Sequence, residues 1–187
     1  MKKYSIAFLI NPVSGGGLGA RVFSQLPEIM ASFGYSQTDW IAYLTKETSL
    51  MDQIRSSVQI SRKIIAVGGD GTIGQILNQL RLHHCDAEVG LIPLGTGNDL
   101  GRSLGIYRVF TQKGLLACIK RLLKANSTEF DLWSVNRDST MATYLSIGMD
   151  AAILHDFDQA RKKGMLAKSA LINKMYYVLR FFFSIVL

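Results

Sequence analysis

Two hydrophobic rhythms alternate along the chain. Three short runs are apolar at nearly every position, "YSIAFLI" (Tyr4–Ile10), "KIIAV" (Lys63–Val67) and "EVGLIPL" (Glu88–Leu94), and a fourth stretch, "SQTDWIAYLT" (Ser36–Thr45), is strand-like. Such runs predict strands, and runs with little polar alternation predict strands covered on both faces. The longer segments around them are apolar every third or fourth residue: "ARVFSQLPEIMASFG" (Ala20–Gly34), "SLMDQIRSSVQI" (Ser49–Ile60), "GTIGQILNQLRLH" (Gly71–His83) and "FTQKGLLACIKRLLKA" (Phe110–Ala125). In the second of these Leu50, Ile54 and Val58 share a face; in the third Ile73, Ile76, Leu77 and Leu80 do. Strand and helix in strict alternation predict an α/β fold, a Rossmann-like parallel sheet with helices on both faces.

The rhythm changes after Asn126. "TEFDLWSVN" and "TMATYLSIGMD" read as two strands joined by the polar turn "RDS", a hairpin that opens a second, β-rich domain. The expected division is therefore residues 1–126 and 127–187. Two helices are expected after the hairpin, in "AAILHDFDQARKKG" (Ala151–Gly164) and "SALINKMYYVLRFFFSIVL" (Ser169–Leu187). The second is apolar on nearly every side and lacks a cap, which suits a buried helix, a membrane-docking element or a domain cut short. Because an isolated hairpin is only marginally stable, burial or truncation is the expectation. At the other end two lysines precede a short apolar run that stops at Asn11-Pro12, which fits a buried first strand better than a signal peptide. No run reaches the ~18 apolar residues of a membrane span.

Lys and Arg number 21 against 14 Asp and Glu, a net charge of +7 in 187 residues. That surplus favours nucleotide phosphates, nucleic acid or an anionic membrane face as partner. The basic residues are dispersed with no interleaved aromatic reading motif, so nucleic acid ranks last. Cys85 and Cys118 lie far apart without metal-type spacing and read as free thiols in a reducing cytoplasm. His83, His84 and His155 show no metal spacing either.

Glycine-rich turns follow three of the strands: "NPVSGGG", "VGGDGT" and "PLGTGND". In an open α/β sheet such turns gather at the carboxyl edge, where ligands bind. Glycines let backbone N–H groups approach phosphate oxygens, and a following helix adds its positive end. "GDGTIG" (Gly69–Gly74) matches G-x-G-x-x-G, but a dinucleotide site needs an acid roughly 20 residues on, at the end of the next strand. Here Asp86 and Glu88 precede that strand, and another glycine loop follows it. A P-loop would need Lys-Ser/Thr where Gln75 and Ile76 stand, and no protein-kinase motif accompanies the glycines. What remains is a phosphate loop with an acid inside it. An acid among backbone N–H groups suits Mg²⁺ or a proton better than bare phosphate.

Taken together, "NPVSGG", "VGGDGTIGQILN" and "LIPLGTGNDLGRSLG" closely resemble the catalytic domain of diacylglycerol kinases, and "FDLWSV" with "YLSIGMDAAILHDF" resembles the start of that family's accessory domain. The resemblance implies ATP against the first and third loops. Asn11, Pro12, Ser14 and Gly15 would contact nucleotide, as would Thr45 after the second strand. Gly68, Gly69, Asp70, Gly71 and Thr72 would hold the triphosphate, with Asn78 a weaker candidate. An Mg²⁺-linked acidic network joins the corresponding loops in bacterial relatives, and the matching positions are Asp70, Asp99 and Asp131, with Asp70 and Asp99 the catalytic pair. Each acid has a competing role: Asp70 and Asp99 as helix caps, Asp131 in a turn. Arg21 and Arg102 follow glycine loops within reach of phosphates, and Asp150 is left open between an N-cap and an interdomain contact. The family's proposed general base belongs to a later part of the accessory domain, so it is expected beyond Leu187.

The implied function is an ATP- and Mg²⁺-dependent lipid kinase that converts diacylglycerol to phosphatidic acid at a membrane surface, cytoplasmic and peripherally attached. The alternatives are a kinase for sphingoid base or ceramide, and a truncated homologue that binds nucleotide without catalysis. An NAD kinase is disfavoured by "GTGNDLGRSLG" and "FDLWSV".

Overall fold

A computed structural model describes residues 4–46, 49–136, 139–143, 145–162, 175, 176 and 178. Its contacts divide the chain into two compact units, Met1–Thr143 and Tyr144–Leu187. The first contains four parallel strands: β1 (Ile6–Ile10), β2 (Trp40–Leu44), β3 (Lys63–Gly68) and β4 (Glu88–Pro93), in the order β2-β1-β3-β4. The helices between them are α1 (Ser14–Ser32), α2 (Leu50–Ile60) and α3 (Asp70–Leu82), followed by α4 (Asp99–Ser103) and α5 (Ile106–Lys124). The α/β expectation is met, with a parallel sheet flanked by helices.

The order of the strands fixes where the helices and the ligand edge lie. From β1 the chain steps outward to β2, returns across to β3 and continues to β4. Right-handed crossovers then place α1 on one face and α2 and α3 on the other, and α2 and α3 do touch. The direction of travel reverses between β1 and β3, whose carboxyl ends carry two of the glycine loops. That reversal is the crevice where open α/β sheets bind ligands.

Central position explains the apolar runs. Every residue of β1 is buried, as are Ile64–Gly68 of β3, whereas β2 is half-buried throughout. α1 closes one face with Val22, Leu26, Ile29 and Met30, and α3 lays Ile73, Ile76 and Leu80 against the other. Each such side chain contributes about 1.5–3 kcal/mol on burial.

Some boundaries differ from the sequence reading. The "SGGG" stretch falls within the span of α1, but Gly15, Gly16 and Gly17 have φ of 61°, 67° and 98°, so it forms a left-handed turn before the regular helix. α5 begins earlier than expected and breaks at Gly114 (φ 78°, ψ −178°). The hairpin forms with short strands, β5 (Trp133–Val135) and β6 (Ser139–Met141), antiparallel with Trp133 opposite Met141. It belongs to the first unit by contact and packs on α3.

In the second unit α6 (Met149–Lys162) covers the first helix expected there. Of the second, Ser169–Leu187, only Met175, Tyr176 and Val178 are described, all helical, and the rest lies outside the described residues. Phe157 on α6 meets Tyr176 with ring centroids 6.1 Å apart. No helix among the described residues is long and apolar enough to cross a membrane.

Candidate active site

The three glycine loops form one continuous floor. The loop after β3 and the loop after β4 meet backbone to backbone: a Cβ added to Gly95 would lie 2.6 Å from the Gly69 Cα, and one on Gly69 would lie 2.9 Å from the Gly95 Cα. Only two glycines permit that approach. The strands below keep the loops in step, since Gly68 pairs with Pro93 and Leu94 N–H donates to the Gly68 carbonyl at 2.8 Å. The first loop joins through Asn11, whose Nδ2 donates to Thr72 Oγ1 at 3.0 Å while its Oδ1 accepts from Val13 N–H at 3.2 Å. Gly15 reaches the third loop as well: with φ 61°, it has room for a Cβ only 3.0 Å from the Leu94 carbonyl oxygen.

The two central acids converge on this floor. Asp70 is the first residue of α3 and Asp99 the first of α4, and neither helix has a side-chain cap at the position before it, which is Gly69 or Asn98. Asp70 instead reaches across, and its Oδ1 accepts from Leu100 N–H at 3.2 Å. A Cβ on Gly97 would lie 3.0 Å from Asp99 Oδ2 and 3.2 Å from Asp70 Oδ2. Glycine at 97 therefore leaves open the space toward which both carboxylates point. Two like charges brought together repel, and a divalent cation with oxygen ligands relieves that repulsion. This donor set fits Mg²⁺, and the surrounding backbone N–H groups at the start of α3 fit phosphate.

Asn98 shapes the third loop. It adopts a left-handed conformation (φ 57°) that Asn tolerates better than most residues, and it is 3% exposed. Its Oδ1 accepts from Gly95 N–H and its Nδ2 donates to the Gly95 carbonyl, each at 2.6 Å. The sequence reading missed this role; the signal was an Asn between a glycine pair and a helix start.

The remaining candidates divide. Thr45 sits at the carboxyl end of β2, where its N–H donates to the Ile10 carbonyl at 2.7 Å and its Oγ1 to the same oxygen at 3.3 Å. Pro12 and Ser14 lie in the first loop, where the Pro12 carbonyl accepts from Ala20 N–H. Gly71 is exposed at the start of α3. Asp131 lies exposed ahead of β5, and among the described residues no three His, Cys, Asp or Glu side chains gather to hold a metal. The structure therefore brings Asp70 and Asp99 together without Asp131. Asn78 Oδ1 accepts from Thr140 Oγ1 at 2.8 Å, and Arg81 Nε donates to the same hydroxyl at 2.7 Å. This trio docks the hairpin on α3. Arg102 Nε donates to the Gly97 carbonyl at 2.9 Å and its guanidinium lies 4.0 Å over the Tyr107 ring. Arg21 stays exposed on α1, and the Asp150 side chain lies outside the described residues.

Comparison with known families decides the relationship. The family described as the diacylglycerol kinase catalytic domain matches residues 5–135, and the diacylglycerol kinase accessory domain matches residues 140–186. The chain belongs to the diacylglycerol kinase family. Among similar relatives of this diacylglycerol kinase-family chain are the eye-specific diacylglycerol kinase of Drosophila melanogaster (30% identical, covering 92% of this chain and 13% of the relative) and diacylglycerol kinase zeta of Rattus norvegicus (27%, covering 90% and 20%). A diacylglycerol kinase of Staphylococcus carnosus is 27% identical over 68% of this chain and 40% of its own length. A crystal structure of a diacylglycerol kinase from Bacillus anthracis superposes with a TM-score of 0.55 at 25% identity, covering 71% of this chain and 44% of that one. The chain thus spans less than half the length of these relatives, and it shares the fold of the solved structure over the matched part.

Proposed function

We propose that this chain carries the nucleotide-binding and phosphoryl-transfer part of an ATP-dependent lipid kinase that phosphorylates diacylglycerol to phosphatidic acid. The observation that carries the reading is the convergence of Asp70 and Asp99 over Gly97, on a floor made by three glycine loops. The catalytic part is taken as residues 1–126 and the stretch 127–187 as the beginning of the accessory domain.

Phosphoryl transfer depends mostly on positioning and on neutralising phosphate charge. The triphosphate would lie on Gly68–Thr72, where the 13-residue α3 begins and its positive end favours the anion. Asn11, Pro12, Ser14 and Gly15 would close the nucleotide side, with Thr45 beside them at the end of β2. Asp70 and Asp99 would hold Mg²⁺, and Asp131, the third acid the resemblance implied, stands apart from that pair. Mg²⁺ held there would supply neutralisation of phosphate charge, and transfer of the γ-phosphoryl group to the lipid hydroxyl would release ADP and the hydroxyl proton. A cavity of about 760 Å³ lies along β4 beside α3 and α4, lined by Leu77, Leu91 and Phe130 together with Arg81, Glu88 and Glu129, and none of the glycine-loop residues lines it. The net charge of +7 supports peripheral contact with an anionic membrane on the cytoplasmic side.

The test is phosphate transfer from γ-labelled ATP with Mg²⁺ into mixed micelles of diacylglycerol, sphingosine or ceramide, with NAD in parallel. Labelled phosphatidic acid that vanishes in Asp70→Ala is the expected result. Label in the sphingosine or ceramide product would replace diacylglycerol by the related acceptor. Nucleotide binding with no labelled product would replace the enzyme by a non-catalytic binder.

A further inference from the structure

The loop that presents Asp99 is held from two sides. From within, Asn98 closes on Gly95 through two hydrogen bonds of 2.6 Å. From outside, Arg102 reaches back along its own helix and donates Nε–H to the Gly97 carbonyl at 2.9 Å. Gly97 is the residue over which the two carboxylates meet, so its peptide orientation sets the floor beneath them. The next residues, Asn98 and Asp99, follow directly, and Leu100 N–H supplies the 3.2 Å bond to Asp70. Fixing the Gly97 carbonyl therefore fixes where Asp99 starts and where Asp70 is anchored.

Arg102 is itself oriented. Its guanidinium lies 4.0 Å over the ring of Tyr107, at the start of α5. Stacking fixes the plane of the guanidinium, and a fixed plane aims Nε–H at one acceptor. A lysine keeps the charge but has neither the planar fork nor a donor at the Nε position. Charge alone is thus distinguishable from geometry at this residue.

We propose that Arg102, braced by Tyr107, is a positioning residue for the Asp70–Asp99 pair, acting through the Gly97 carbonyl. The proposal rests on the lipid-kinase reading for its kinetic consequence, and on the hydrogen-bond geometry alone for its structural one. Both are measured on the same full chain. Arg102→Lys and Tyr107→Leu are compared with the conservative Tyr107→Phe, which retains a ring to stack on. Kinetics with MgATP and diacylglycerol micelles give kcat and KM. Amide hydrogen exchange at Leu100, followed by NMR, reports the loop without requiring turnover.

For Arg102→Lys the expected outcome is a roughly tenfold fall in kcat with KM for ATP within about twofold, since small misplacements of catalytic groups weigh on the chemical step. Leu100 exchange rises in the same variant, with the melting temperature close to wild type. Tyr107→Leu follows in the same direction, and Tyr107→Phe restores both readouts. Wild-type kcat and unchanged Leu100 exchange in Arg102→Lys would overturn the proposal. A rise in KM for ATP with kcat and Leu100 exchange unchanged would also overturn it, since that pattern belongs to a direct phosphate contact. If the wild type transfers no phosphate, the kinase reading fails, and Leu100 exchange across the three variants still decides the role of Arg102.

Discussion

Gly95→Ala should separate the α3 loop from the α4 loop, and its size follows from the contact it breaks. The added Cβ would lie 2.6 Å from the Gly69 Cα and 3.0 Å from Asn98 Oδ1, where ordinary carbon–carbon contacts are about 3.5–4.0 Å. About 1 Å must therefore be absorbed. The nearest atom is backbone, held in step by the β3–β4 pairing and by the 2.8 Å bond from Leu94 N–H to Gly68, so no flexible side chain can give way. Overpacking of this kind costs about 1–3 kcal/mol. At about 2–4 °C per kcal/mol for a chain of this size, the melting temperature falls by roughly 2–12 °C. A displacement of ~1 Å at the phosphate floor lowers turnover by about 10²-fold. Gly74→Ala is the matched control: it lies in α3, has open space where its Cβ would go, and should stabilise by about 0.5–1 kcal/mol. The assay is thermal unfolding by circular dichroism, paired with MgATP titration. If Gly95→Ala melts with the wild type and binds MgATP as tightly, the backbone-to-backbone junction is not what sets the site.

Other outcomes follow from single contacts. Thr140→Val removes the hydroxyl shared by Asn78 and Arg81; a loss of about 1–3 kcal/mol should appear as faster amide exchange in β5 and β6, with Thr140→Ser retaining protection. Cys118 is fully buried and its thiol is pushed up from 9.0 to about 12 by burial, against a smaller lowering by Arg121. The neutral thiol is favoured in the folded state, so its contribution to stability is present below about pH 9 and lost as pH rises toward 12. Over that window the wild type should lose stability more steeply than Cys118→Ala in urea unfolding. Asp39 has its pKa lowered by hydrogen bonds from the Ser36 side chain and backbone N–H; an NMR titration of Ser36→Ala should move it back up.

The elements that the sequence revealed best are those whose pattern is set by burial alone. β1 and β3 are central, so nearly every position is apolar and the run reads directly as a strand. α3 was equally plain because Ile73, Ile76 and Leu80 must all face the sheet. Where conformation rather than burial decides, the pattern was weaker. The left-handed turn at Gly15–Gly17 and the break at Gly114 leave no hydrophobic signature, and β5 and β6 are shorter than the apolar stretches that announced them. At the site, Asp70 and Asp99 were visible as acids inside glycine loops. Their convergence was implied only by the family resemblance, since the residue pattern alone does not carry the register that sets Gly68 beside Pro93. The parts played by Asn98, Arg102 and Asn78 were hidden for the same reason: each acts through a partner whose location only the fold supplies.

The central claim is that Asp70 and Asp99 work as one unit at the Gly97 floor. A double-mutant cycle on kcat for phosphate transfer to diacylglycerol tests it most directly, using Asp70→Asn, Asp99→Asn and the pair. Residues that act together show losses far from additive in free energy. The double variant should therefore turn over about as slowly as the slower single variant. If the two losses multiply, the carboxylates contribute independently and the shared site does not exist.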